Sequence, residues 1–514
     1  MIHRNTPPLI RIWCGQGGIL LRKAMPIFYS AIMLTVVNLL LRFVGTSFQV
    51  YLSGRIGANG IGLLQLVMSV GSLAMVAGMA GIRTATMYLT AEELGKNRPG
   101  NVTWVLSGCV LYSIVCSSTL AVLLYSFAPL IARDWIGDIR TVPALREFAA
   151  FLPTTCLCGV MTGYFTAANR IGTLAVVEVA EQFASMAVTM AALSLWAGND
   201  SGKACQCVVL GSALGGCLTL ICLTVLRLRE HPATGARIPI SRRLCQTALP
   251  LALADDLRSG ISTVENLMVP KRLSLNRTVA EPLAAFGTVC GMVFPVMMFP
   301  ACILFGLAEL LIPELARCAA AGRSGRIQYL VRRSLRVAML YGLLFSGLLY
   351  LLADKLCIAL YNSPDAGKLL RLYACLVPML YCDAITDAMT KGLGQQKICV
   401  RYNILTSAMD VVLLYLLLPE YGMKGYFFSF LLTHAINFIL SLRLLLKITR
   451  LSFPLWVPAL SVSGAVAAIW ILGYLSHPAL QAMLYPAVLG CILYLLKIVN
   501  REDITWLKGL MCKK

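Results

Sequence analysis

Apolar stretches of about 20 residues recur along the whole chain, separated by short segments that contain charged residues, glycine or proline. A helix needs about 20 mostly apolar residues to cross the hydrocarbon core of a bilayer. Each stretch therefore predicts a membrane-spanning helix, and about fourteen such helices place the chain in the all-α polytopic membrane class. The predicted spans are 24–43, 61–90, 100–128, 144–168, 172–196, 204–227, 244–270, 283–315, 329–352, 368–392, 398–418, 422–447, 452–475 and 479–499.

Composition agrees with a membrane domain that takes up nearly the whole chain. Of 514 residues, 58% are hydrophobic and only 13% are charged, and the mean hydropathy is +0.77. Soluble proteins carry about 25% charged residues, so a soluble class is excluded. The first apolar stretch follows Arg22 and Lys23 without a small-residue cleavage pattern. We therefore expect it to be retained as a helix and not removed as a signal peptide.

The net charge of +21 is distributed in a way that predicts membrane topology. Lys and Arg collect in alternate loops, namely those near 227–243, 317–336, 391–401 and 443–450. Cytoplasmic loops of membrane proteins carry this excess, which predicts that both termini are cytoplasmic. Nucleic-acid binding is then unnecessary to explain the positive charge.

Two common kinds of chemistry lack their sequence signatures. Most of the 19 cysteines lie inside apolar stretches, and the CxC pairs Cys156/Cys158 and Cys205/Cys207 have no second pair or histidine at zinc-ligand spacing. We therefore predict no metal site, disulfide framework or cofactor. The chain also contains no GxxxxGK[ST] segment, which favours a secondary carrier over an ATP-driven pump.

A weak internal repeat predicts two related halves. Leu41-Arg42-Phe43-Val44-Gly45 has a counterpart in Leu257-Arg258-Ser259-Gly260, and Arg55 and Lys271 follow at the same separation. An offset of six helices gives two parallel six-helix lobes related by a pseudo-twofold axis around a central cavity. The predicted organisation is a cytoplasmic segment 1–23, an N-lobe 24–227, a basic linker 228–243, a C-lobe 244–447, two additional helices within 448–499 and a cytoplasmic tail 500–514.

Several short motifs, in this order, are similar to one family of exporters. They are RFVG at 42–45, GRIGANGIGLLQ at 54–65, VPKRL at 269–273, FGTVCGM at 286–292, LIPE at 311–314 and GLGQ at 392–395. The chain from about residue 25 to 447 resembles the stage V sporulation protein B group of polysaccharide and lipid-linked oligosaccharide exporters. That group belongs to the multidrug/oligosaccharidyl-lipid/polysaccharide (MOP) flippase superfamily.

The resemblance implies a fold, a substrate and one binding residue. Relatives have two six-helix lobes around a V-shaped cavity that opens alternately to either side of the bacterial cytoplasmic membrane. The implied substrate is an undecaprenyl-diphosphate-linked saccharide, a precursor of peptidoglycan or another polysaccharide, with the spore cortex as one destination. We expect a monomer. Arg42 matches the first-helix arginine that flippase relatives place in the cavity.

Three arginines in or at the ends of predicted helices are candidate substrate ligands. An arginine at mid-membrane costs about 2.5–3.5 kcal/mol on insertion scales, so it normally faces a cavity or a partner. The planar guanidinium group can bind diphosphate oxygens with two parallel hydrogen bonds. We therefore predict that Arg42, Arg83 and Arg258 bind the substrate. The alternative is that each reaches the membrane interface or pairs with a carboxylate.

Helix 7 carries a polar stripe that adds a candidate pair. Asp255, Arg258, Ser262 and Glu265 are spaced by three, four and three residues and so share one helix face. An Asp255–Arg258 ion pair is an open alternative, and it would make Arg258 a poorer ligand for an anion.

Carboxylates in the second half predict a cation site. Asp383 and Asp387 lie one turn apart, and Asn403 and Asp410 follow on the next helix. Carboxylates inside a helix bundle are typical of cation or proton relays. With Glu265, these residues could bind Na⁺ or H⁺ and reset the empty carrier. Alternatively, they pair separately with basic residues, namely Lys391, Lys397 and Arg401.

Two other functions stay open. A cation-coupled multidrug exporter of the same superfamily predicts a cavity whose dominant charge is acidic. A membrane enzyme that acts on lipid-linked sugars would concentrate carboxylates or histidines in a sizeable surface loop. The loops here are short and mostly basic, and the four histidines are scattered along the chain, so we expect that the protein is not an enzyme.

Overall fold

The computed structural model describes residues 8–96, 98–198, 200–229, 241–451, 456–475, 477–496 and 498. Most of the predicted linker and the predicted C-terminal tail lie outside the described residues, as do residues 1–7 of the predicted N-terminal segment. The described residues form helices, and no strand occurs among them. The helices are α1 (Pro8–Met79), α2 (Ile82–Gly95), α3 (Pro99–Leu130), α4 (Val142–Ala167), α5 (Ile171–Ala192), α6 (Ser201–Leu228), α7 (Ser241–Leu273), α8 (Pro282–Thr288), α9 (Phe294–Met298), α10 (Ala301–Ala320), α11 (Ser324–Tyr361), α12 (Pro364–Ala374), α13 (Val377–Gly392), α14 (Gln396–Thr449), α15 (Trp456–Leu472) and α16 (Pro478–Leu495).

Two of these helices each contain two predicted spans. The backbone of α1 leaves helical geometry at Gly57, where φ is 71° and ψ is 176°. In α14 the break is at Gly422, where φ is 56° and ψ is −133°. Glycine adopts positive φ without a Cβ clash, so each break joins two helical segments without an intervening loop.

By length and composition, eight helices among the described residues can cross a membrane, or ten if each of two bent pairs counts as one span. Helices α8–α9 bend by 63° relative to α10, and α12 bends by 57° relative to α13. Pro300 lies at the first bend, and Pro378 follows the second. Proline removes a backbone hydrogen-bond donor and so favours a bend. The count of fourteen spans stays a prediction.

We call helices α1–α6 the N-terminal set and helices α7–α14 the C-terminal set. The two sets touch at the end of the bundle that contains Gly57. A Cβ on Gly287 would lie 2.1 Å from the carbonyl oxygen of Ala58, and a Cβ on Gly62 would lie 2.3 Å from that of Leu283. The backbones of α1 and α8 are therefore in direct contact, which small residues permit.

The opposite end of the bundle, which contains Arg243, is also closed by a contact between the two sets. Arg243 on α7 places Nη2 2.6 Å from Oε2 of Glu92 and Nη1 3.4 Å from Oε1 of Glu93. Glu93 is only 3% exposed and also accepts a 3.0 Å hydrogen bond from the side-chain amide of Asn101. A buried carboxylate requires such partners, so we expect this cluster to stabilise contact between α2 and α7.

We predict that Arg243 and Glu92 are energetically coupled. Replacing either with alanine should destabilise the protein, and the double variant should lose less than the sum. The expected coupling is about 0.5–3 kcal/mol, the range for residues in one ion-pair network. Unfolding by sodium dodecyl sulfate in mixed micelles measures the free energy of unfolding of wild type, of each single variant and of the double variant. Strictly additive losses would contradict the coupling.

A buried tyrosine contributes to the packing of the last two helices against the C-terminal set. Tyr485 on α16 is fully buried and donates a 3.0 Å hydrogen bond to the carbonyl oxygen of Leu343 on α11. A Cβ on Gly347 would lie 2.1 Å from Cζ of its ring. The ring thus occupies space that a glycine on α11 leaves free.

Candidate substrate and cation sites

Arg42 on α1 faces α10 across an open cavity. This cavity has a volume of about 630 Å³, and Phe305, Glu309 and Ile312 are among its lining residues. The guanidinium carbon lies 4.8 Å from the centre of the Phe305 ring. Among the described residues, no carboxylate lies within ion-pair distance of Arg42. The side chain is exposed.

An aromatic wall adjoins Arg42. A second cavity of about 400 Å³ shares Arg42 and Phe305 with the first, and Phe294 and Phe299 also line it. The ring of Phe299 packs against that of Phe43 at a centroid distance of 5.9 Å. Arg42 therefore lies beside apolar and aromatic surface, where a cation is attracted to ring faces.

Arg83 and Arg258 lie together in a third cavity, which we call the arginine chamber. Its volume is about 390 Å³, and its lining residues include Asp255 and four hydroxyl side chains: Ser72, Thr84, Ser259 and Ser262. Arg83 belongs to the N-terminal set and Arg258 to the C-terminal set, so the chamber lies between the sets. In the described part of the chain, neither arginine forms an ion pair. Asp255 is thus a neighbour of Arg258 without being its ion-pair partner.

Four of the five predicted cation-site residues lie together in a fourth cavity, which we call the carboxylate chamber. It has a volume of about 230 Å³ and is lined by Glu265, Asp383, Asn403 and Asp410, and by Arg258. The fifth, Asp387, places Oδ2 2.6 Å from Nζ of Lys391. Asp387 therefore forms an ion pair with Lys391, which is the alternative to the cation site that the sequence left open.

Asp410 lies at the buried side of the carboxylate chamber. It is 6% exposed, and Oδ1 accepts hydrogen bonds from the hydroxyls of Ser429 at 2.5 Å and Thr433 at 3.3 Å. Glu265 lines the same cavity as Asp410. Because two carboxylates in one small cavity repel each other, a proton or a cation bound between them would favour the arrangement.

Asp383 contributes a second oxygen cluster to the same chamber. The Asn437 amide nitrogen donates to Oδ2 of Asp383 at 3.1 Å. The Asn437 amide oxygen is buried and has no hydrogen-bond partner among the described residues, so it is available as a cation ligand. No group of three or more His, Cys, Asp or Glu side chains in the described ranges is arranged to bind a metal ion. Amide, hydroxyl and carboxyl oxygens are hard ligands, which suit a hard cation and not a soft transition metal.

Sequence reasoning missed the polar face of the second segment of α14. Three polar side chains on this face are spaced by four residues and bind the carboxylates of the chamber. Ser429 and Thr433 donate hydrogen bonds to Asp410, and Asn437 donates one to Asp383. The signal was present, because polar residues four apart share one helix face. In an otherwise apolar span, that spacing predicts a buried polar site.

Comparisons with known proteins agree with this architecture. Residues 34–195 match the MatE family model. The chain is 20% identical over 409 residues to stage V sporulation protein B of Bacillus subtilis (strain 168), covering 77% of this chain and 79% of that protein. This match confirms the resemblance that the sequence motifs indicated.

Solved structures of transporters share the fold. An inward-facing multidrug resistance MATE family transporter of the MOP superfamily matches with a TM-score of 0.67 at 12% identity, over 82% of this chain and all of that one. The lipid II flippase MurJ, in its inward closed conformation, matches with a TM-score of 0.66 at 13% identity, over 91% of this chain and all of that one. The predicted all-α membrane class is therefore confirmed, and the chain is a multi-pass membrane protein.

Proposed function

We propose that this chain, which has the fold of the MOP superfamily transporters, is a secondary-active flippase for an undecaprenyl-diphosphate-linked saccharide in the bacterial cytoplasmic membrane. The observation that supports this most is the placement of Arg42, Arg83 and Arg258 in open cavities, without ion-pair partners among the described residues. The similarity to stage V sporulation protein B favours a role in sporulation, and the exporter group that the sequence motifs resemble implies a peptidoglycan or polysaccharide precursor. The protein would act as a monomer.

The residues that line the cavities suit the diphosphate, the saccharide and the lipid of such a substrate. Arginine forks bind diphosphate oxygens by charge-assisted bidentate hydrogen bonds. The hydroxyls of Ser72, Thr84 and Ser262 in the arginine chamber can exchange hydrogen bonds with a saccharide. Beside Arg42, the aromatic surface of Phe299 and Phe305 suits the apolar face of a sugar ring or the first isoprene unit.

Alternating access would use the contacts at the two ends of the bundle. With both termini cytoplasmic, the Arg243 end faces the cytoplasm and the Gly57 end faces outward. Opening the Arg243 end would admit the substrate, and opening the Gly57 end would release it. A diphosphate leaving a negative cytoplasm is driven by the membrane potential, worth about 2.3 kcal/mol per charge per 100 mV. The carboxylate chamber would bind the coupling Na⁺ or H⁺.

A cation-coupled multidrug exporter is the second candidate, and the carboxylate chamber favours it. Glu265, Asp383 and Asp410 form an acidic pocket that could attract an organic cation. The three cavity arginines oppose this candidate, because they repel such a substrate. A membrane enzyme is disfavoured because the similar proteins are named as transporters and flippases.

The test is transport by purified protein reconstituted in liposomes. We expect wild type to move an undecaprenyl-diphosphate-linked saccharide and Arg42→Ala to move it about 10- to 150-fold more slowly, since a hydrogen bond to a charged group contributes about 1.5–3 kcal/mol. The substrate carries a fluorescent label, and a quencher outside the liposomes reaches only the outer leaflet. The rate at which the quenchable fraction of the fluorescence changes measures the transport rate.

A matched control is Arg323→Ala, which removes an exposed arginine from the segment between α10 and α11. Its transport rate should equal that of wild type. Transport of organic cations, with no movement of the diphosphate lipid, would favour the multidrug exporter. An unchanged rate in Arg42→Ala would show that this arginine does not bind the diphosphate.

A further inference from the structure

Arg258 lines both the arginine chamber and the carboxylate chamber. In the first it lies with Arg83 and Asp255, and in the second with Glu265 and Asp410. The two chambers would bind charges of opposite sign, an anionic headgroup and a cation. A single positive side chain at their boundary therefore interacts with both ligands.

The carboxylates of the chamber have hydrogen-bond partners other than Arg258, so the arginine side chain is free to move between the two chambers. Asp410 accepts hydrogen bonds from Ser429 and Thr433, and Asp383 accepts them from Asn437. In the described part of the chain, no carboxylate is ion-paired with Arg258, and its side chain is exposed. The guanidinium group is not fixed by a strong partner in either chamber.

Helix α7 holds the two chambers at a constant spacing. Arg258 and Glu265 are seven residues apart, which is about two helical turns and roughly 10 Å along the axis. Both lie on the same face of α7. The long arginine side chain can cover part of this distance in either direction, so its position depends on which chamber is more negative.

We propose that Arg258 is a tethered counter-ion that links occupancy of the two chambers. When no cation is bound, the negative charge of the carboxylates attracts its guanidinium group toward their chamber, which it already lines. A monovalent metal cation between Glu265 and Asp410 replaces that positive charge and leaves Arg258 to bind the anionic headgroup beside Arg83. The inference rests on the proposed function, because it requires a diphosphate substrate.

The sign of the linkage follows from the charges. A cation in the carboxylate chamber should strengthen diphosphate binding, and diphosphate should strengthen cation binding by the same factor, because linkage is reciprocal. If the cation weakened diphosphate binding instead, the two ligands would have to compete for one site. They have opposite charges and occupy different chambers, so direct competition is not expected.

Binding of farnesyl diphosphate to the purified full-length protein tests the linkage. Affinity is measured in NaCl and in choline chloride at equal ionic strength. For wild type, Na⁺ should tighten binding by about 5- to 150-fold, the usual range of coupling between sites. For Arg258→Gln, binding should be weaker and independent of Na⁺.

Arg83→Gln is the matched control. It removes the same charge from the arginine chamber, but Arg83 does not line the carboxylate chamber. Its binding should be weaker than that of wild type, and the effect of Na⁺ should persist. If Na⁺ acts equally on wild type and Arg258→Gln, or if it acts on neither, the linkage is wrong.

A second measurement separates this inference from the proposed function. Binding of ²²Na⁺ without any diphosphate should be about 5- to 150-fold tighter in Arg258→Gln than in wild type, because a competing positive charge has been removed. Equal Na⁺ affinities would overturn the tethered counter-ion. Failure of wild type to bind farnesyl diphosphate, with the Na⁺ difference present, would instead refute the diphosphate substrate.

Discussion

Replacing Gly287 with leucine is expected to abolish transport, because the Gly57 end of the bundle could no longer close. A Cβ at this position would lie 2.1 Å from the Ala58 carbonyl oxygen and 2.6 Å from the Gly62 nitrogen. Both are backbone atoms, so no side-chain rotation can relieve the clash. Overpacking typically costs 1–3 kcal/mol. A clash with backbone should exceed that range and shift the population away from the closed state by more than about 150-fold.

The measurement combines transport with a distance between spin labels at Arg55 and Thr278, on either side of this end. In Gly287→Leu the distance should lengthen and transport should fall below detection. Gly490→Leu is the control, because nothing lies within 4 Å of a Cβ built on Gly490. Normal transport by Gly287→Leu would mean that α1 and α8 need not touch during the cycle.

The sequence predicts part of the contact between α1 and α8. Ala58 and Gly62 are four residues apart, as are Gly287 and Gly291, and small residues at that spacing are typical of close helix packing. That these two segments meet each other could not be predicted. Their pairing joins residues more than 200 positions apart, and it depends on how the two helix sets dock.

The candidate site shows the same division between local and long-range information. Helical spacing placed Arg258 and Glu265 on one face of α7, and the structure places both in the carboxylate chamber. Spacing could not say that Arg83 would join Arg258 while Arg42 lies against α10. Each of those neighbours belongs to a different helix, so only the packing of the sets decides which arginines share a cavity.

Asp387 illustrates a choice that charge patterning alone leaves undecided. It lies one turn from both Asp383 and Lys391, so the sequence permits a shared cation site or a local ion pair. In the structure, Asp387 pairs with Lys391, and Asp383 turns to Asn437 on α14. The deciding factor is the polar face of α14, which offers an amide to one aspartate and not to the other.

Asp410→Asn is expected to weaken Na⁺ binding by about 30- to 4,000-fold. Losing one partner of a buried, hydrogen-bonded charge pair costs about 2–5 kcal/mol, and every 1.4 kcal/mol is a factor of ten. Asparagine has nearly the same shape, and its amide oxygen can still accept the hydrogen bonds from Ser429 and Thr433. The variant should therefore fold and retain its affinity for farnesyl diphosphate in choline chloride. Binding of ²²Na⁺ to the purified protein measures the loss.

Asp387→Asn is the matched control for Asp410→Asn, since it removes the same charge from a residue that pairs with Lys391 and does not line the carboxylate chamber. Its Na⁺ affinity should stay within a few-fold of that of wild type. Equal losses in both variants would indicate that Na⁺ responds only to the total negative charge of the C-terminal set. A loss confined to Asp410→Asn places the cation beside Glu265, where the repulsion between two carboxylates provides the driving force for binding it.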